Sequence, residues 1–111
     1  MNVLFVCSQN KWRSPTGEKV FMRYNGVATR SAGTSRNARR TITVTDIRWA
    51  DLILVMEHKH ASRIRADYRN ETTHKDIHIL DIPDDYMYMD PELVVLITEA
   101  SEPLIVAALQ A

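Results

Sequence analysis

Cysteine is almost missing: among 111 residues there is one, Cys7. That excludes an intramolecular disulfide and any multi-cysteine zinc site, so Cys7 acts, if it acts, as a free thiol. An excess of charge is missing too, since 14 Lys plus Arg offset 14 Asp plus Glu. Such a chain is no general binder of nucleic acid or of a membrane surface, and an anion it binds must be held locally. Long apolar runs are also missing. Stretches such as Asp51 to Met56 fall far short of the roughly 18 residues of a membrane span. The start, MNVLFVCSQNKWR, has neither a basic opening nor a small-residue cleavage pattern, does not read as a signal peptide, and leaves the cytoplasm as the expected compartment. The histidines lack zinc spacing: His58 and His60 fall two apart on an expected helix, on different faces, and read as surface residues. No metal and no cofactor is expected.

A chain of this length can bury roughly two thirds of its unfolded surface in one core, so residues 1–111 are expected to form a single domain. Asn2 to Val6 reads as a short buried strand ending at Cys7. Ser14-Pro15 supplies an N-cap and a proline at the first helical position, predicting a helix from about Pro15 to Tyr24. After the turn Asn25-Gly26, Val27 to Ser31 is a second strand. Gly33 to Arg40, with Arg30 just before it, is rich in Ser, Thr, Asn and Arg and reads as a solvated loop. Thr45-Asp46 opens a short helix to Trp49. Asp51 to Met56 is a strand buried on both faces, as in a parallel sheet. Glu57 to Tyr68 reads as a basic helix, Ile77 to Leu80 as a fourth strand, and Asp81 to Asp90 as an acidic loop. Asp90-Pro91 caps a final helix. Strands alternating with helices predict a doubly wound, four-stranded parallel α/β sheet flanked by helices, with ligands beyond the carboxyl ends of the strands. The Cys7 loop and the Asp81 to Asp90 loop both follow strands and belong on that edge.

Taken singly, Cys7 reads as a small buried hydrophobe, Arg13 as a surface cation and Ser14 as a helix cap. Together, a cysteine at a strand end, five intervening residues and Arg-Ser at a helix start build an anion cradle between Ser8 and Ser14. Loop amides and the helix N-terminus converge on one spot, and Arg13 adds a planar fork for two oxygens of a phosphate. The same positive field favours a thiolate nucleophile at Cys7, to which Ser14 can donate its hydroxyl.

The segment Cys7-Ser-Gln-Asn-Lys-Trp-Arg-Ser-Pro15, following Val-Leu-Phe-Val, resembles the phosphate-binding loop CxGNxCRSP of the low-molecular-weight protein tyrosine phosphatases. Ser31-Ala-Gly-Thr34 resembles the family's SAGT segment, and Ala38-Arg39 with Thr43 to Asp46 its RA…LT stretch. Trp49 to Met56 resembles its ADLILVM strand, and Ile82-Pro-Asp-Asp-Tyr86 its VPDPYY motif. The resemblance covers nearly the whole chain. It implies a phosphomonoester hydrolase, most simply a protein tyrosine phosphatase, working through a cysteinyl-phosphate intermediate on a phosphorylated protein or a small aryl phosphate. Cys7 would be the nucleophile, and Arg13 would bind the phosphoryl oxygens. Ser8, Gln9, Asn10, Lys11, Trp12 and Ser14 would complete the cradle for phosphate- or sulfate-like anions, Asn10 holding its shape and Ser14 supporting the thiolate. Asp84 aligns with the general acid, and Asp85 is the neighbouring alternative.

The chain departs from the pattern at several positions. Gln9 stands for the loop glycine, raising the cost of any positive φ there. Trp12 stands for the second loop cysteine, so no protective disulfide can form with Cys7. Asp85 replaces a proline beside the acid. Most of a longer loop before the RA segment is missing, and with it part of the usual pocket wall. Lys11 occupies a position that in the family helps separate phosphotyrosine from phosphoarginine enzymes, and its charge should repel a guanidinium and could attract a second negative charge. Trp12 and Tyr86 could flank an aromatic leaving group. Two other readings remain open at this level: a non-catalytic module binding phosphate or a phosphopeptide, and an arsenate reductase, although the latter chemistry usually needs further cysteines.

Overall fold

A computed structural model describes residues 1–111. Its elements run β1 (Asn2–Cys7), α1 (Arg13–Phe21), β2 (Ala28–Gly33), α2 (Val44–Trp49), β3 (Leu52–Val55), α3 (His58–Asp67), α4 (Arg69–Thr72), β4 (Asp76–Ile79) and α5 (Pro91–Gln110). The four strands form one parallel sheet in the order β2-β1-β3-β4. This is the doubly wound architecture that alternating strands and helices predict. No helix is long and apolar enough to cross a membrane.

The period-two alternation of β1 divides the core in two. Val3, Phe5 and Cys7 point to one face, where they join Phe21, Leu54, Leu93, Ile97 and Ile105 from α1, β3 and α5. Leu4 and Val6 point to the other, against Ile47, Ile53, Ala61 and Ile64 from α2, β3 and α3. β3 contributes to both clusters, and all its residues are buried, which is why its sequence is continuously apolar. At Gly17 α1 comes so close to β1 that an added Cβ would sit 2.4 Å from the Phe5 ring. Asp90 caps α5 by accepting from the Glu92 N–H at 2.9 Å, with Pro91 at the first helical position.

The local differences from the sequence reading have identifiable causes. α1 begins at Arg13 rather than Pro15, with Trp12 at the N-cap and no side-chain cap, because the Ser14 hydroxyl is engaged elsewhere. α2 is capped by Thr43, whose hydroxyl accepts from the Asp46 N–H while the Asp46 carboxylate accepts from the Thr43 N–H. The four-residue helix α4 has no sequence signal of its own. Order 2-1-3-4 places the topological switch point between β1 and β3, and the loops after β1, β3 and β4 converge there.

Candidate active site

The loop from Ser8 to Trp12 is defined by where its backbone groups go. Its carbonyls face outward: Cys7 O accepts from the Thr34 N–H, Ser8 O from the Ser35 N–H and Gln9 O from the Arg39 N–H, at 3.0 Å each. Asn10 O accepts from Arg39 Nε at 2.9 Å. From Gln9 through Ser14, by contrast, no backbone N–H donates to any acceptor in the chain. Carbonyls turned out and amides left free form an anion-binding nest that runs into the N-terminus of α1. Arg36 to Arg40 is therefore not simply a solvated loop, since this segment is the wall on which the nest is built. Arg40 also donates to Ser31 O at 2.6 Å and pairs with the buried Asp46. Gly33 lies directly beneath, where a Cβ would meet Ser8 O at 2.5 Å.

The one strained loop residue is Asn10, with φ 56°, and not Gln9, where the missing glycine raised that expectation. Asparagine tolerates this region, and its side chain helps hold it there. The Asn10 amide is fully buried and donates to Ser14 Oγ and Ser31 Oγ, both at 2.9 Å. Cys7 Sγ lies 3.0 Å from Ser14 Oγ. Cys7 thus ends β1 with its sulfur beside a hydroxyl that Asn10 fixes.

Arg13 is 2% exposed and is the largest fully buried side chain. Its Nη1 donates to Glu57 Oε2 at 2.6 Å and to Ile82 O at 2.8 Å, while Nε faces Asp84 Oδ1 at 3.5 Å. Holding Nη1 from behind leaves Nη2 without a partner, and the Nε–Nη2 edge, which the Asp84 carboxylate faces through Nε, is the fork an anion would take. The hydrogen bond from Arg13 lowers the Glu57 carboxyl below the usual carboxylate range, against the opposing effect of burial. Cys7, Gln9, Lys11, Trp12, Arg13 and Asp84 line one recess of about 40 Å³, large enough for a small anion and not for a whole substrate.

Asp85 and Tyr86 do not line that recess. Tyr86 faces a separate groove with Leu80, Ile82 and Leu96 and packs on the core. Sequence reading missed Glu57, whose role appears only once β3 and β1 are adjacent. It also misjudged His60, which is 1% exposed rather than on the surface. His60 Nδ1 accepts from the Glu57 N–H at 3.0 Å, so Nε2 carries the proton directed at Ser8 Oγ, 2.8 Å away. Burial, and secondarily the Arg13 charge, push its pKa down to about 4 from the usual 6.5. The only signal in the sequence was the position of His60 three residues after Glu57, one helical turn on.

No protein-family model and no curated protein matches the sequence. Solved structures do match. The low-molecular-weight protein tyrosine phosphatase of Streptococcus pyogenes aligns over 96% of this chain and 91% of its own, with TM-score 0.79 and 20% identity. The YwlE arginine phosphatase of Geobacillus stearothermophilus covers 98% and 96%, with TM-score 0.71 and 20% identity. The tyrosine phosphatase Wzb of Escherichia coli K30, solved in complex with phosphate, covers 93% and 94%, with TM-score 0.73 and 22% identity. The fold of the chain is that of the low-molecular-weight protein tyrosine phosphatases.

Proposed function

We propose that the chain is a phosphomonoester hydrolase with protein tyrosine phosphatase chemistry, working through a cysteinyl-phosphate intermediate. The observation that carries this reading is the nest of unpaired amides between Gln9 and Ser14, with the Cys7 sulfur at one end and the buried Arg13 fork at the other. The nest amides and the Nε–Nη2 edge of Arg13 take the non-bridging oxygens and stabilise the charge that builds on them. The Cys7 thiolate, supported by the Ser14 hydroxyl, attacks phosphorus as the bond to the ester oxygen breaks. Asp84 gives that oxygen its proton, and the alcohol or phenol departs. Asp84, now a carboxylate, then takes a proton from water. The resulting hydroxide attacks phosphorus, the sulfur–phosphorus bond breaks, and phosphate and the thiolate are released.

Asp84 fits the acid role because it lines the recess opposite the loop, whereas Asp85 does not. Lys11, in the recess wall, disfavours a guanidinium leaving group, so an aryl ester such as phosphotyrosine is the preferred substrate over phosphoarginine.

The test is hydrolysis of para-nitrophenyl phosphate in the presence of EDTA. The native chain should turn over, while Cys7→Ser and Arg13→Ala should lose activity to background with their folds intact by circular dichroism. A native chain that binds vanadate or phosphate but shows no Cys7-dependent turnover would be a binding module instead.

A further inference from the structure

A second cavity, of about 410 Å³, adjoins the recess across Lys11, which lines both. Lys19, Arg39, Glu18, Met22 and Tyr88 also line it. Its volume is in the range of small-ligand sites, and its charge is uneven. Lys11, Lys19 and Arg39 take part in no ion pair, which is true of nine of the fourteen Lys and Arg side chains, but these three line one cavity together. Arg39 is also fixed: its Nε donates to Asn10 O at 2.9 Å, and neither Nη makes a hydrogen bond. The guanidinium is thus anchored to the anion loop by one nitrogen, with the other two free. The single carboxylate present, Glu18, already accepts the Ser31 hydroxyl. Met22 and Tyr88 give the cavity an apolar side, both 48% exposed. In a chain with no net charge, three cations against one carboxylate leave this cavity locally positive.

We propose that this cavity is a second anion subsite, and that the preferred substrates are phosphomonoesters carrying another anionic group on the Lys11 side. The proposal rests on the phosphatase reading. The reacting phosphoryl group occupies the nest, and the second anion meets Lys19 and the free Nη groups of Arg39, with Lys11 between the two sites. An acidic side chain flanking a phosphotyrosine and a second phosphate on a small ester offer the same chemistry.

The experiment measures kcat/KM at low ionic strength for native protein and Lys19→Glu. One arm compares a phosphotyrosine peptide flanked by Glu with the same peptide flanked by Gln. The other compares para-phenylene bisphosphate with phenyl phosphate. The native chain should prefer the doubly anionic member by about 3- to 10-fold, the range expected of a few exposed ion pairs, and salt should weaken that preference. Lys19→Glu should abolish it while leaving phenyl phosphate turnover unchanged. Reading each ratio against its value in the variant cancels leaving-group and statistical effects. A Lys19-dependent preference in the peptide arm alone identifies a protein segment as the second anion's source, and one in the ester arm alone identifies a small molecule. Equal rates in both arms, unaffected by Lys19→Glu, overturn the subsite while phenyl phosphate turnover upholds the phosphatase. No turnover of phenyl phosphate by the native chain removes the phosphatase reading, and the subsite falls with it.

Discussion

The loop after β1 and the loop after β4 meet at one recess but are built in opposite ways. The first is locked: Asn10 is fully buried, the outward carbonyls are bonded to residues 34–39, and Ser8 is held by His60. The second is open. Asp84 is 56% exposed, Asp81 and Met89 bracket the segment with positive φ, and the Thr16 hydroxyl accepting from the Met89 N–H at 2.9 Å ties it to α1. The contrast follows from what each loop is proposed to do. Amides that stabilise a transition state must be in place before charge develops, because reorganising them would cost what they contribute. An acid that serves first a leaving oxygen and then a water needs access to solvent.

The comparison is broken most severely by removing the proposed acid. With phenyl phosphate, whose phenolate is a poor leaving group, Asp84→Asn should lower kcat by about 10²- to 10⁴-fold. Asp85→Asn should leave it near the native value. Because Asp84 is exposed, its removal should change stability by less than about 0.5 kcal/mol, as thermal unfolding would show. A large loss of kcat in Asp85→Asn alone would move the acid by one residue.

A substitution in the locked loop should do the reverse. Asn10→Ala removes two buried hydrogen bonds and leaves a β-carbon at a positive φ. It should cost about 2–4 kcal/mol of stability, measured by urea denaturation, and weaken vanadate binding as the nest loosens. Unchanged stability would mean that the loop does not depend on this side chain.

A third effect, spread over several pH units, separates the loops by pH. His60 is neutral in the folded protein, with its pKa pushed to about 4 from 6.5. Between those values the unfolded chain binds more protons, so stability is full above about pH 6.5 and declines as the pH falls toward 4, by on the order of 3 kcal/mol. Glu57 acts in the same direction: its lowered carboxyl adds stability above its ordinary 4.5 that is lost as the pH drops through its folded value. His60→Gln should flatten the urea midpoint against pH over the upper part of this window, whereas Asp84→Asn should keep the native curve. An unchanged slope in His60→Gln would assign the acid sensitivity to other groups.

What the sequence determines by itself is local. Alternating apolar strands and amphipathic helices specify the parallel sheet, because side-chain periodicity reports which faces are buried. The spacing from Cys7 to Arg13 predicts an anion loop, because the residues of the proposed chemistry are near neighbours in the chain. What the tertiary structure alone decides is which distant groups support that loop. Glu57 reaches Arg13 because β3 pairs beside β1 in parallel register, bringing two strand ends to one edge. His60 is buried because α3 turns its first residues back toward Ser8. The 34–39 segment is a wall because Gly33 ends β2 under the nest, where no side chain fits. Sequence spacing across 29 to 69 residues carries no such information, as for Arg39 with Asn10 and Arg13 with Ile82. Side chains that look like surface cations or histidines in the chain acquire their partners only from the order in which the strands assemble.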